Sequence, residues 1–208
     1  MTKRLLLAAT LLLTSCATPD GTAPVVPNQT TTTAAAQFYK NVAALCGQSF
    51  TGKIVANTPA AATPDPFAGK ALVMHVRDCD ENELRIPFHV GDDRSRTWVI
   101  SRRTERLRLK HDHRHADGSP DAVTMYGGDT RDAGTERRQE FPVDAESVAM
   151  FRTQDMRASL TNTWAMEVVP ESEFVYELSR PGGRLFRVSF DLTRPVATPP
   201  APWGASPQ

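Results

Sequence analysis

The 208-residue chain predicts a mainly β fold: an antiparallel up-and-down barrel of about ten strands behind one short helix. Two observations carry this. Apolar residues recur with period two, most clearly where Leu84, Ile86, Phe88 and Val90 alternate with Arg85, Pro87 and His89, and again where Phe186, Val188, Phe190 and Leu192 alternate with Arg187, Ser189 and Asp191. The turns between such runs, Gly91-Asp92-Asp93 and Pro181-Gly182-Gly183 among them, are short, and short connections demand antiparallel neighbours. Closing so many strands removes exposed sheet edges. A two-sheet β-sandwich is the alternative, because alternation does not report closure.

Taken in order, Lys3-Arg4 precede an apolar run, Leu5 to Leu13, that is too short to span a bilayer and has the shape of a secretory signal. It ends Leu13-Thr14-Ser15-Cys16, which resembles a bacterial lipobox. The resemblance implies that residues 1–15 are a lipoprotein signal peptide and that Cys16 is diacylated on its thiol and acylated on its new amino group. Several acyl chains, palmitate-like in size, anchor a protein stably without a transmembrane helix. Ala17 in place of an aspartate implies sorting to the outer membrane, with the protein facing the periplasm. An ordinary signal peptide with an accidental cysteine is the alternative.

Residues 16–36 are rich in Thr, Pro and Ala, with too few large apolar groups to offset chain entropy, and read as a disordered tether. Phe38, Val42 and Leu45 then predict a helix over Gln37 to Cys46, ended by Gly47. Strands follow in a meander, with Pro87 implying an edge strand or a bulge because it cannot donate to a ladder. Asp144 stands where an N-cap is needed for a second short helix through Phe151. The single domain spans 37–194, and 195–208 reads as a loose Pro/Ala tail.

Lys plus Arg equal Asp plus Glu at 24 each, and loss of Lys3 and Arg4 with the signal leaves the mature chain near −2. That balance argues against a nucleic-acid partner. With Cys16 acylated, Cys46 and Cys79 remain, and an even pair in an oxidising compartment predicts a disulfide.

The chemistry concentrates on one segment. Leu107, Leu109, His111, His113 and His115 share one strand parity, so the histidines continue a row begun by two leucines. Neighbouring inward imidazoles suit a divalent transition metal, Zn²⁺, Cu²⁺ or Ni²⁺. Alternatively, they line a polar cavity with Tyr126 and take a small organic ligand, since barrel mouths favour such sites. The bland reading is a polar strand end running into a solvated turn. The opposite parity carries Arg106, Arg108 and Lys110; with Arg102 they belong to a stretch, Arg94 to Arg114, that holds eight basic residues against Glu105 and Asp112. Such a face suits an envelope protein or acidic polymer. No nucleophile elbow, phosphate-cradling glycine loop or His-Glu-x-x-His motif is present.

The layout of a short helix before an up-and-down meander resembles lipocalin-like folds, with Gly47-Gln48-Ser49-Phe50 only a loose echo of their Gly-x-Trp motif. The block from Glu83 to Asp129, ELRIPFHVGDDRSRTWVISRRTERLRLKHDHRHADGSPDAVTMYGGD, resembles a family of secreted bacterial proteins and lipoproteins without assigned activity. The resemblance implies export and one β-domain, and no catalytic residues. The expectation is a non-catalytic envelope lipoprotein whose barrel binds a small ligand or metal, or else an interaction module using the basic face.

Overall fold

Thr33 opens the folded region in the computed structural model, which describes residues 32–60 and 65–206. The predicted signal, Cys16 and most of the tether lie outside the described residues. The Thr33 side chain accepts a hydrogen bond from the Ala36 amide at 3.2 Å and starts α1 (Ala34–Ala43). The helix thus begins before the predicted Gln37 and ends before Cys46. Capped alanines are strong helix formers, and the chain must turn through Gly47, at φ +80°, to enter the sheet.

Eleven strands follow: β1 (Ser49–Thr58), β2 (Leu72–His75), β3 (Asp78–Cys79), β4 (Glu83–Val90), β5 (Asp93–Arg102), β6 (Leu107–His113), β7 (Tyr126–Asp129), β8 (Arg138–Pro142), β9 (Thr163–Val169), β10 (Glu173–Arg180) and β11 (Arg184–Val196). Helix α2 (Ala145–Thr153) and a 3-10 turn (Arg157–Thr161) lie between β8 and β9. Every ladder is antiparallel, in the order β7-β6-β5-β4-β2-β1-β11-β10-β9-β8, with β3 on β4. The single sheet is nearly closed into a barrel, so the sandwich is set aside. First and last strands pair, and the seam falls between β7 and β8 instead.

Main-chain and cap bonds close that seam. The Asp144 amide donates to the Gly127 carbonyl at 2.9 Å, and the Gly127 amide donates to Ser147 Oγ at 2.8 Å. The approach is too close for a side chain: a Cβ on Gly128 would sit 1.8 Å from the Pro142 carbonyl oxygen across the seam, and on the β6 side one on Gly127 would sit 1.9 Å from that of Leu109.

Pro87 is neither on an edge strand nor in a bulge. It lies on β4 opposite Thr97 of β5, at the break where pairing on its other side passes from β2, ending at Phe88, to β3, beginning at Arg85. The missing N–H therefore falls where the ladder is already interrupted.

Inward residues such as Phe50, Met74, Ile86, Ile100, Leu109, Met166, Phe174, Val188 and Phe190 are fully buried and form one core. Helix α1 covers one end of the barrel, burying Phe38 and Val42. Tyr39 donates to the Asp80 carbonyl at 2.9 Å and Asn41 to that of Glu136 at 2.9 Å, fixing α1 to the turns at that end. Cys46 and Cys79 form the disulfide that ties the end of the α1 turn to β3. The Pro/Ala tail, expected to be loose, is laid along the outside of the sheet as far as Ser206. Arg94 donates to the Ala201 carbonyl at 3.1 Å, the Trp203 amide to that of Arg94 at 3.1 Å, and Arg77 to the Ser206 carbonyl. Extended proline-rich chain leaves its carbonyls unpaired, and these arginines satisfy them. No helix among the described residues is long and apolar enough to cross a membrane.

Candidate functional site

Strand β6 enters the barrel as its parity predicts, with Leu107 and Leu109 deep in the core and His111 and His113 above them toward the end opposite α1. His111 is buried between rings: Tyr126 stacks on it at 4.7 Å between centroids, and Trp164 lies at 5.0 Å. Its Nδ1 is 3.1 Å from the Tyr126 main-chain carbonyl and its Nε2 is 2.8 Å from the Tyr176 hydroxyl. A carbonyl only accepts, so Nδ1 carries the proton and Nε2 accepts from Tyr176. Burial, then the neighbouring His113, pulls the His111 pKa down to about 3, so the ring is neutral. His113 Nε2 lies 3.1 Å from the Tyr126 hydroxyl, and burial followed by the Arg96 charge lowers its pKa to about 4. Burial raises both tyrosines well above the ordinary phenol value, so they remain hydroxyl donors.

These side chains line a cavity of about 230 Å³ that opens at the end of the barrel away from α1. Its wall is largely aromatic. Phe88 and Tyr176 both stack on Trp98, at 4.8 and 4.5 Å, while Phe67, Phe151 and Phe186 complete the surface. Three arginines stand at the rim, Arg96, Arg180 and Arg184, with the buried Ser159 and Asn162 beside them in the lining. A mostly apolar concavity with a few fixed polar groups is the general form that small-molecule sites take.

Of the sequence-predicted residues, His111, His113 and Tyr126 are brought together and His115 is not. Strand β6 ends at His113, and the exposed His115 sits in the following turn, where its amide donates to the Ser119 carbonyl at 2.8 Å. A metal does not suit the remaining pair as it stands, because both His111 nitrogens already have partners. No group of three His, Cys, Asp or Glu side chains able to hold a metal occurs among the described residues.

The basic face is largely neutralised. Arg108 forks onto Asp129 at 2.5 and 2.9 Å. Lys110, only 6% exposed, reaches Asp144 at 2.8 Å and Glu146 at 3.1 Å. Arg85 and Arg114 converge on buried Asp112. Arg102 lies over the Tyr39 ring and donates to the Glu81 carbonyl at 3.2 Å, at the α1 end of the barrel. Arg106 is exposed in the β5–β6 turn. The four residues therefore form no continuous cationic patch.

Sequence reasoning missed the rim arginines and the aromatic wall of Trp98 and Trp164. The signal was present in strand parity. Arg96 continues the inward row of Trp98 and Ile100, Arg180 that of Tyr176 and Leu178, and Arg184 that of Phe186 and Val188.

No protein-family model, curated protein or solved structure matches the chain.

Proposed function

We propose that this chain is an exported, lipid-anchored binding protein of the cell envelope that holds a small amphipathic organic molecule in the open end of its barrel and does not transform it. One observation carries the binding reading: an aromatic-walled cavity of about 230 Å³ that opens at the end of the barrel away from α1, with a few polar side chains fixed in its lining. Ligand sites for drug-sized molecules span roughly 300–1,000 Å³, so the occupant is small. Binding is favoured over catalysis because His111, the most buried ionisable group of the wall, has its N–H and its lone pair both engaged and has no free site for a substrate proton. The anchor rests on the lipobox-like Leu13-Thr14-Ser15-Cys16, and the chain enters the barrel through α1, at the end away from the mouth.

Titration of the purified chain with the neutral dye N-phenyl-1-naphthylamine tests the cavity. Its fluorescence should rise saturably, with quenching of Trp98 and Trp164 in a Trp203→Phe background, and Leu178→Trp at the mouth should abolish the rise. Binding that survives this filling substitution places the dye elsewhere and ends the reading. For the anchor, incorporation of labelled palmitate should disappear in Cys16→Ser.

A further inference from the structure

Formal charge at the cavity is one-sided. Arg96, Arg180 and Arg184 all belong to its lining, and no Asp or Glu does. Arg96 is paired, its Nη1 2.5 Å from Asp93. The other two have neutral partners only. Arg180 donates through Nε to Asn162 Oδ1 at 2.5 Å, and Arg184 donates to Asn57 Oδ1 at 2.5 Å and to the carbonyls of Thr58 and Pro59 at 3.4 Å. Among the described residues no carboxylate pairs with either. Asp65 is one step removed, held by Asn57 and by the Phe67 amide.

Two guanidiniums sit opposite one another here, since Arg180 and Arg184 are cross-strand partners at the β10–β11 hairpin. Like charges in that position repel. Burial and the Arg184 charge together hold Arg180 below the ordinary guanidinium value. The asparagines fix both side chains without neutralising them. None of the nearby side chains pairs with either guanidinium: His111 and His113 are neutral, Asp93 is occupied by Arg96, Asp65 is held by Asn57 and the Phe67 amide, and Asp121 accepts from the Val123 amide. A planar anion matches the guanidinium fork of each arginine and relieves their repulsion. Below them the walls are flat rings, Trp98, Trp164 and Phe186 among them, which favour a planar apolar body by offset stacking.

We propose that the cavity selects a small aromatic anion, its carboxylate or phosphate head seated between Arg180 and Arg184 and its ring system lying against the Trp98 and Trp164 walls. This rests on the cavity being the ligand site, and matched probes separate the two ideas. 2-Naphthoate, 2-naphthyl phosphate and neutral 2-naphthylmethanol share one ring system and differ in the head. Measured by quenching of Trp98 and Trp164 in the full chain, at least one of the two anions should bind about tenfold or more tighter than the alcohol, the scale of a hydrogen bond to a charged group. Whichever anion wins names the head group. Arg180→Gln with Arg184→Gln should erase most of that preference while changing the alcohol's affinity less than about twofold, the retained alcohol binding showing an intact fold. Added NaCl should weaken the anions and leave the alcohol unchanged, a readout that needs only the wild-type chain. Alcohol binding as tight as that of both anions overturns the anion claim and leaves the cavity standing. If none of the three binds, the cavity reading falls with it.

Discussion

His111 and Tyr176, on strands that do not pair, meet across the barrel interior with Nε2 2.8 Å from the hydroxyl. Both groups are buried; Tyr176 is the hydrogen-bond partner of His111 Nε2, while the Tyr176 hydroxyl also meets the Trp98 and Trp164 side chains. Removing the Tyr176 hydroxyl leaves the buried His111 Nε2 without a bond, which costs about 1–3 kcal/mol, whereas replacing both residues removes that unpaired atom as well. His111→Phe should therefore destabilise the protein more than the pair His111→Phe with Tyr176→Phe, once Tyr176→Phe alone is accounted for. Urea unfolding of the four proteins closes the cycle, and strict additivity refutes the coupling.

Acid should act on the fold before it reaches the carboxylates. Burial lowers His111 to about 3 and His89 and His113 to about 4, against about 6.5 in an unfolded chain. The surroundings are mixed: His75 and Arg94 oppose and Asp93 favours a charge on His89; Arg96 opposes and Asp121, Asp112 and Asp93 favour one on His113; His113 and Lys110 oppose one on His111. In each case burial dominates. The unfolded chain then binds protons that the folded one refuses. Stability is flat above pH 6.5 or so and falls between there and pH 4, by up to about 1.4 kcal/mol per pH unit for each histidine. Asp93, Asp129 and Asp144, with pKa values below their ordinary range, lose their contribution only at lower pH. Urea midpoints at pH 7.5, 6 and 5 should show the fall. His89→Gln, at a ring whose Nε2 has no partner in the structure, should flatten it by one proton's worth; an unchanged slope counts against the assignment.

The barrel was largely legible because an apolar interior and a wet exterior impose period two on every strand, and β4 and β11 show it with little interruption. The inward turn of His111 and His113 followed from the same parity. What escaped depends on contacts distant in sequence. That Asp129, Asp144 and Glu146 neutralise Arg108 and Lys110 follows from how β7 pairs with β6 and how α2 closes over the neighbouring seam, and composition does not report where a seam falls. The rim arginines escaped for another reason. An arginine at an inward parity looks like an exception until it is known which end of the barrel is open. The tail was misread because proline-rich composition lacks apolar groups for a core, yet it offers carbonyls that Arg77 and Arg94 take up.

Loss of the Cys46–Cys79 link should lower stability without changing the fold. It closes 33 residues of chain, for which loop entropy predicts about 3–4 kcal/mol. Independent contacts hold the same end together: the Tyr39 hydroxyl still reaches the Asp80 carbonyl, and Phe38 and Val42 stay buried. Cys46→Ser with Cys79→Ser should keep the far-ultraviolet circular dichroism of the parent and unfold at lower urea. Dithiothreitol should bring the parent down to the same midpoint and leave the variant where it is. Equal midpoints before reduction reject the argument.

At the seam, Gly128 and Lys110 do different work and should fail differently. A methyl at Gly128 would lie 1.8 Å from the Pro142 carbonyl oxygen, which is main chain and has no rotamer to adopt. Gly128→Ala must therefore push β7 away from β8, disturb the neighbouring bonds from Asp144 and to Ser147, and open the barrel beside the cavity wall at Tyr126. A loss above about 3 kcal/mol is expected, at the severe end for a point substitution. Lys110→Met keeps the packing of the buried stem but strips Asp144 of its ammonium partner. Asp144 still caps α2 through the Ser147 amide, so the cost should be smaller, about 1–3 kcal/mol, and should shrink as pH falls and the carboxyl protonates. The Gly128→Ala loss should not vary with pH in that way. Stability curves from pH 7 to pH 3 distinguish the two, and a Gly128→Ala protein as stable as its parent would show that β7 and β8 do not meet as closely as the seam requires.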